Sequence, residues 1–326
     1  MGANQRSVPR LHNDVYPFIY PSKFRGSLQG KVALVTGSAG AIGKAVAECF
    51  AVAGAKLVLV YNRTQPAAKE HLAELGAADV LMVQCNVSEL PSCQELVRRA
   101  IEAFGTVDIL VNNAGANGLE PMHLQSPESF IYDLAVNLHG PYYLMRLLMP
   151  GMRAQRSGCV LNITSRAGVL PTVPFSTSYH SSKAALINLT GCVQSEADTD
   201  GLDDVHLYAL HPGGVRSEMT TNKYKNAVEA LPDHPDRAAK LAQRLDAYND
   251  SPYLNGMTCV ALATGLARRV LRGRYIDVGQ DLEDLLALAG DAIKADPELY
   301  TLHTRYLGAV PDDGAVLDEP FAFPGF

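Results

Sequence analysis

From Lys31 onward, short apolar runs alternate with longer stretches in which apolar residues recur at helical spacing, and few folds accommodate that rhythm. Val32–Val35 is a continuous apolar run with Gly30 and Gly37 close on either side, the pattern of a strand buried on both faces. Ile42, Val46, Cys49, Phe50 and Ala53 follow at helical spacing, and Gly54 ends that helix. Leu57–Val60 reads as the second strand. The spacing then predicts helices over 65–75, 92–104, 130–149 and 178–197, and strands over 80–85, 109–111, 159–163 and 205–210. Parallel strands need crossovers of a dozen or so residues, usually helical, so the chain is predicted to be α/β, a doubly wound parallel sheet covered on both faces.

Past Ser217 the pattern loosens. Residues 218–256 are polar and carry Pro232, Pro235 and Pro252, with a helical patch over 237–248. So long a segment between sheet elements is either a substrate lid or a surface insertion. A helix over 257–271 and a strand over 275–278 return to the sheet. Asp281 is placed to cap a last helix, with Leu282, Leu285, Leu286, Ala289 and Ile293 on one face. The first thirty residues space Pro9, Pro17 and Pro21 among aromatics, which predicts an irregular arm packed over the domain or over a neighbouring subunit. No repeat or Gly/Ser linker divides the chain. We therefore expect an arm (1–27), one domain (28–280) and a C-terminal helix and tail (281–326).

Composition narrows the partners. The chain has 28 Lys and Arg against 34 Asp and Glu, a formal charge of −6, which speaks against a nucleic-acid partner. No apolar run approaches the roughly 18 residues of a membrane span, and the first residues lack a signal-peptide apolar core. The six cysteines lie scattered, without metal or redox spacing, and the nine histidines show no ligand pattern, so no metal is expected. The three Asn-x-Thr triplets, at Asn62, Asn162 and Asn188, read as chance matches in a cytosolic chain. The expected address is the cytoplasm.

Chemistry concentrates at strand ends. Thr36–Gly43, with Gly37, Gly40 and Gly43, follows the first strand and opens the first helix. Glycines there permit either a tight structural turn or close approach of a pyrophosphate to helix N-terminal amides; the strand-to-helix setting favours the second. The second strand ends at Tyr61-Asn62-Arg63, with no carboxylate for a ribose 2′-hydroxyl before Glu70. Arg63 is either a partner for a 2′-phosphate, which makes the cofactor NADP(H), or a solvated loop cation. Tyr179 and Lys183 stand four apart at a helix start, hence on one face, where an ammonium favours the phenolate and lowers the tyrosine pKa from about 10. Ser165 follows the strand over 159–163, at the carboxyl edge where such folds bind ligands.

Together these motifs resemble those of the short-chain dehydrogenase/reductase family, over roughly Leu28 to Val278. Thr36–Gly43 looks like its Thr-Gly-x-x-x-Gly-x-Gly turn. Asn112-Asn113-Ala114-Gly115 is similar to its Asn-Asn-Ala-Gly signature, and Pro212–Ser217 to the Pro-Gly segment that touches the nicotinamide. Asn137, Ser165, Tyr179 and Lys183 match its catalytic tetrad. The resemblance implies that Tyr179 exchanges a proton with the substrate oxygen and that Lys183 holds the nicotinamide ribose and depresses the tyrosine pKa. Ser165 would bond the substrate oxygen, and Asn137 would hold a water linking the lysine to solvent. It also implies cofactor contacts from Gly37, Ser38, Ile42, Gly43, Asn62, Arg63, Asn86, Val87, Asn113, Ala114, Gly115, Tyr179, Lys183, Pro212, Gly213, Val215 and Ser217.

Departures from the family pattern are Ala41 for the middle glycine of the turn, Asn86 for an adenine-contacting Asp, and a Ser165-to-Tyr179 spacing one residue longer than usual. The ending, with the long N-terminal arm, resembles reductases of filamentous fungi tied to secondary metabolism. His180 is expected on another helix face, away from catalysis, whereas His211 either lines the site or packs. The expected activity is NADP(H)-dependent interconversion of a ketone and a secondary alcohol on a moderately large apolar molecule, in a pocket shaped by the lid and the 119–130 loop. The alternatives are a non-redox epimerase, dehydratase or cyclase that retains the nicotinamide, or a nucleotide sensor. The partners expected are a small-molecule substrate and further copies of the chain, as a homodimer or homotetramer.

Overall fold

Strands that are apolar on both faces can only be buried between two helical layers, and the chain builds that arrangement. A computed structural model describes residues 8–66, 68–171, 174–221 and 247–304, together with residues 243 and 325. Its strands are β1 (Val32–Thr36), β2 (Lys56–Tyr61), β3 (Asp79–Gln84), β4 (Ile109–Asn112), β5 (Gly158–Ile163), β6 (Val205–His211) and β7 (Tyr275–Asp277). Among the described residues they form one seven-stranded sheet, ordered β3-β2-β1-β4-β5-β6-β7, with every pairing parallel. Every residue of β1, β4 and β5 is buried.

The helices are α1 (Pro21–Phe24), α2 (Ala41–Val52), α3 (Lys69–Leu75), α4 (Leu90–Phe104), α5 (Pro127–Leu134), α6 (Gly140–Ala154), α7 (Thr177–Thr199), α8 (Pro252–Ala263), α9 (Arg268–Leu271) and α10 (Leu282–Ala295). One core layer joins Val46 and Phe50 of α2, Leu254 and Val260 of α8 and Leu285 of α10 to the sheet. The other joins Leu96 of α4, Leu144 and Leu148 of α6 and Ala197 of α7. The strand order reverses between β1 and β4, so the loops leaving these two strands diverge and leave a crevice at their carboxyl ends.

Several boundaries differ from expectation. The helix expected over 65–75 is shorter, Lys69–Leu75, and that expected over 257–271 breaks after Ala263 into α8 and α9. The long helix expected over 130–149 runs from Pro127 to Ala154, but a π-helical turn, Ala135–His139, divides it into α5 and α6. α8 starts at Pro252, inside the expected lid, where proline at a first helical turn loses no hydrogen bond. The rest of the 218–256 segment lies outside the described residues over 222–242 and 244–246, and the tail from 305 likewise, apart from residue 325.

The N-terminal arm was expected to be irregular, yet Pro17–Ile19 forms a 3-10 turn and α1 follows. It packs over the chain's own C-terminal helix. Tyr16 and Ile19 are buried, and the Leu282 amide donates to the Tyr16 hydroxyl at 2.7 Å. The Arg10 side chain donates through Nε to Asp284 at 2.8 Å, and His12 Nε2 lies 2.8 Å from Asp281 Oδ2. Asp281 caps α10 by accepting from the Glu283 and Asp284 amides.

Candidate active site

The glycine turn after β1 is held from behind. The Thr36 hydroxyl accepts from the Asn113 and Ala114 amides at 2.9 and 3.0 Å, and Asn113 Nδ2 donates to the Thr36 and Gly37 carbonyls. Gly37 has φ of 63°, and a Cβ at Gly43 would sit 2.2 Å from the Gly37 carbonyl oxygen, so both positions require glycine. Ala41 is the first residue of α2 and keeps a negative φ, so its methyl is accommodated. The N-cap of α2 is Gly40, with no side chain bonded over it, which leaves the helix N-terminal amides open to an anion. Ser38 is turned the other way: its buried hydroxyl donates to the Val60 carbonyl at 2.9 Å and ties this turn to β2.

Asn62 and Arg63 are exposed at the carboxyl end of β2. The Asn62 carbonyl accepts from Gln84, while Arg63 makes no hydrogen bond or ion pair among the described residues. At the end of β3, Asn86 donates to Glu89 at 2.7 Å and accepts from the Ser88 hydroxyl at 2.8 Å, and Val87 is buried beside it. These groups lie at the carboxyl ends of β2 and β3, on the same edge of the sheet as the open α2 amides.

The four predicted catalytic residues meet at that edge. Ser165 caps a short 3-10 turn (Arg166–Gly168) after β5, and its side chain is hydrogen-bonded to Tyr179 in the first turn of α7. The Lys183 ammonium lies 5.6 Å from the centre of the Tyr179 ring and donates to the Ile163 carbonyl at 2.8 Å. Asn137, in the π-helical turn, is fully buried; its amide exchanges two 2.8 Å hydrogen bonds with the Ala116 backbone and donates to the Ser182 hydroxyl. The electrostatics depart from expectation. Burial pushes the Tyr179 phenol up to about 12, only partly offset by the Ser165 hydrogen bond, and burial holds Lys183 down to about 8. Desolvation is the largest cause of both shifts.

Ser165 and Tyr179 line a cleft of about 410 Å³, together with Ile42, Pro212, Gly213, Val215 and Ser217. His211 lines it as well, and so does His180, which was expected to face elsewhere. The 119–130 loop contributes no lining residue among those described; only Asn117, just before it, does. Gln125 instead donates to Ser178, and Pro127 already begins α5, which draws this loop against the helices.

The family model described as short chain dehydrogenase matches residues 31–228. The chain belongs to the short-chain dehydrogenase/reductase family. Members of this family use NAD or NADP, and the chain is an NAD(P)-dependent oxidoreductase of this class. Short chain dehydrogenase MYCFIDRAFT_6125 of Pseudocercospora fijiensis is 33% identical over 289 residues, covering 86% of this chain and 90% of that one. Short chain dehydrogenase pigC of Monascus ruber is 30% identical, covering 88% and 90%. Among solved structures, a metagenomic short-chain oxidoreductase in complex with NADP superposes with a TM-score of 0.58 at 28% identity, covering 73% of this chain and 92% of that one.

For a short-chain dehydrogenase, this chain surrounds the site with groups that no local motif announces. Asp133 is buried; its carboxylate accepts from the Ser178 hydroxyl at 2.6 Å and from the Gly118 amide at 2.8 Å, joining α5 to α7 one residue before Tyr179. Asp250 accepts from the Gly214 amide at 2.6 Å, and a Cβ at Gly213 would lie 2.8 Å from its carboxylate. Tyr248 and Arg166 complete that wall. A buried acid in the apolar stripe of the 130–149 helix was the one available signal, at Asp133. Charged and polar groups thus stand beside the apolar lining of the cleft.

Proposed function

We propose that the chain is an NADP(H)-preferring reductase that interconverts a ketone and a secondary alcohol, acting on a small molecule of the kind handled in fungal secondary metabolism. The observation that carries this reading is the hydrogen-bonded Ser165–Tyr179 pair in one cleft, with Lys183 beside the ring. When bound, the nicotinamide supplies the hydride. Ser165 then holds the carbonyl oxygen, and Tyr179 gives that oxygen its phenolic proton as the carbonyl carbon is reduced. The raised tyrosine pKa keeps that proton in place at neutral pH. Lys183, charged below about pH 8, strengthens the acid and would hold the ribose hydroxyls, while Asn137 fixes the Ala116 backbone beside it. Pro212, Gly213, Val215 and Ser217 would border the nicotinamide, and Arg63 would pair with the 2′-phosphate.

The NADP preference is supported by the exposed Arg63 at the end of β2, which has no partner among the described residues, and by the absence of a carboxylate before Glu70 in the sequence. The test is a fluorescence titration with NADPH and NADH. Wild type should bind NADPH at least tenfold more tightly, a difference of about 1.4 kcal/mol. Arg63→Glu should abolish that preference; unchanged selectivity in the variant would remove Arg63 from the account.

A further inference from the structure

His211 ends β6 on the side of the sheet that faces α7, directly before the Pro212-Gly213 turn, and lines the same cleft as Ser165 and Tyr179. Its ring is not free to choose a tautomer. The Arg166 backbone amide donates to Nδ1 at 3.2 Å, so Nδ1 carries the lone pair and the ring proton sits on Nε2. Arg166 is itself anchored, its guanidinium held by Asp277 at 2.5 Å. Among the described residues Nε2 has no hydrogen-bond partner. The charged and titratable groups around the imidazole are Arg166, Asp250 and Asp277. Burial holds it near 4, so it remains a neutral donor throughout the working range. A fixed N–H on a residue of the reaction cleft, unpaired among the described residues, suits an acceptor on whatever fills that cleft.

We infer that His211 is a substrate-recognition residue whose Nε2–H bonds a second oxygen of the substrate, so that the ketone reduced is a hydroxy-, keto- or otherwise oxygenated ketone and not a plain hydrocarbon one. This inference rests on the reductase reading. Ser165 and Tyr179 already account for the reacting oxygen, so the oxygen that His211 meets is a different one. The polar residues Asn117, Ser176 and Tyr248 line the same cleft, which suits an oxygenated substrate. A cleft built to pair with an oxygen rejects the analogue that lacks it, because the donor is then left dry.

The experiment compares NADPH-dependent reduction of 1-tetralone with that of its singly hydroxylated derivatives by wild type, His211→Phe and His211→Gln. NADPH titration checks that each variant keeps its cofactor site, and thermal unfolding checks its fold. Wild type should favour at least one hydroxylated tetralone by about tenfold in kcat/KM. His211→Phe should lose that preference, falling further on the hydroxylated tetralone than on 1-tetralone, and His211→Gln, which presents an N–H at similar reach, should restore part of it. A nitrogen-15 spectrum should report the Nε2–H tautomer for the resonance missing from His211→Gln. Equal losses on both kinds of ketone, or an Nδ1–H tautomer, would overturn the inference and leave the reductase reading standing. Wild type that reduces the hydroxylated tetralones no better than 1-tetralone would overturn the inference alone, and wild type that binds no nicotinamide nucleotide would overturn both.

Discussion

Tyr179 and Lys183 carry opposite shifts with one cause, since each loses hydration when its charged form is buried. The pair therefore rests as neutral phenol and ammonium at neutral pH, which is the arrangement a reductase needs before the proton moves. A pH profile follows from the signs. Lys183 sheds its charge as pH rises through about 8, which weakens Tyr179 as an acid, so kcat for reduction should decline above pH 8 and stay level from 6 to 7.5. Stopped-flow rates across pH 6–10 check this. Behind the glycine turn, the Thr36 hydroxyl accepts from the Ala114 amide and shares the Asn113 amide with the Val111 carbonyl. Thr36→Val should cost about 1–3 kcal/mol of stability and weaken NADPH binding, measured by urea unfolding and by fluorescence.

At the scale of elements, the strand-helix rhythm was legible because a parallel strand buried on both faces has no polar positions to disguise it. The tetrad and the glycine turn were legible because their members lie in contiguous motifs at strand ends. Asp133 and Asp250 were not, since their partners, Ser178 and Gly214, lie 45 and 36 residues away. Nor was the π-helical turn at 135–139, whose extra residue leaves no mark in apolar spacing yet aims Asn137 at the Ala116 backbone. Asp133 joins α5, α7 and the substrate-side loop. Asp133→Leu strands the Ser178 hydroxyl and the Gly118 amide, and should lower stability by about 1–3 kcal/mol per unpaired group. It should raise KM for the ketone more than it weakens NADPH binding, since its contacts lie on the substrate side. Differential scanning calorimetry and steady-state kinetics separate the two effects.

For the whole molecule, the arm and the C-terminal helix act as one fastening across the sheet's back layer. Ile19 is fully buried against that layer and distant in sequence from every site residue. Ile19→Ala should therefore cost about 2–5 kcal/mol in denaturant unfolding while NADPH affinity is unchanged. The central claim is that one phenol in this cleft moves the proton. Its most direct test is Tyr179→Phe, assayed for NADPH binding and for ketone reduction in the same preparation. The account predicts binding within about twofold of wild type and a loss of turnover of roughly 10²–10⁴. A variant that reduces ketones at the wild-type rate would contradict it.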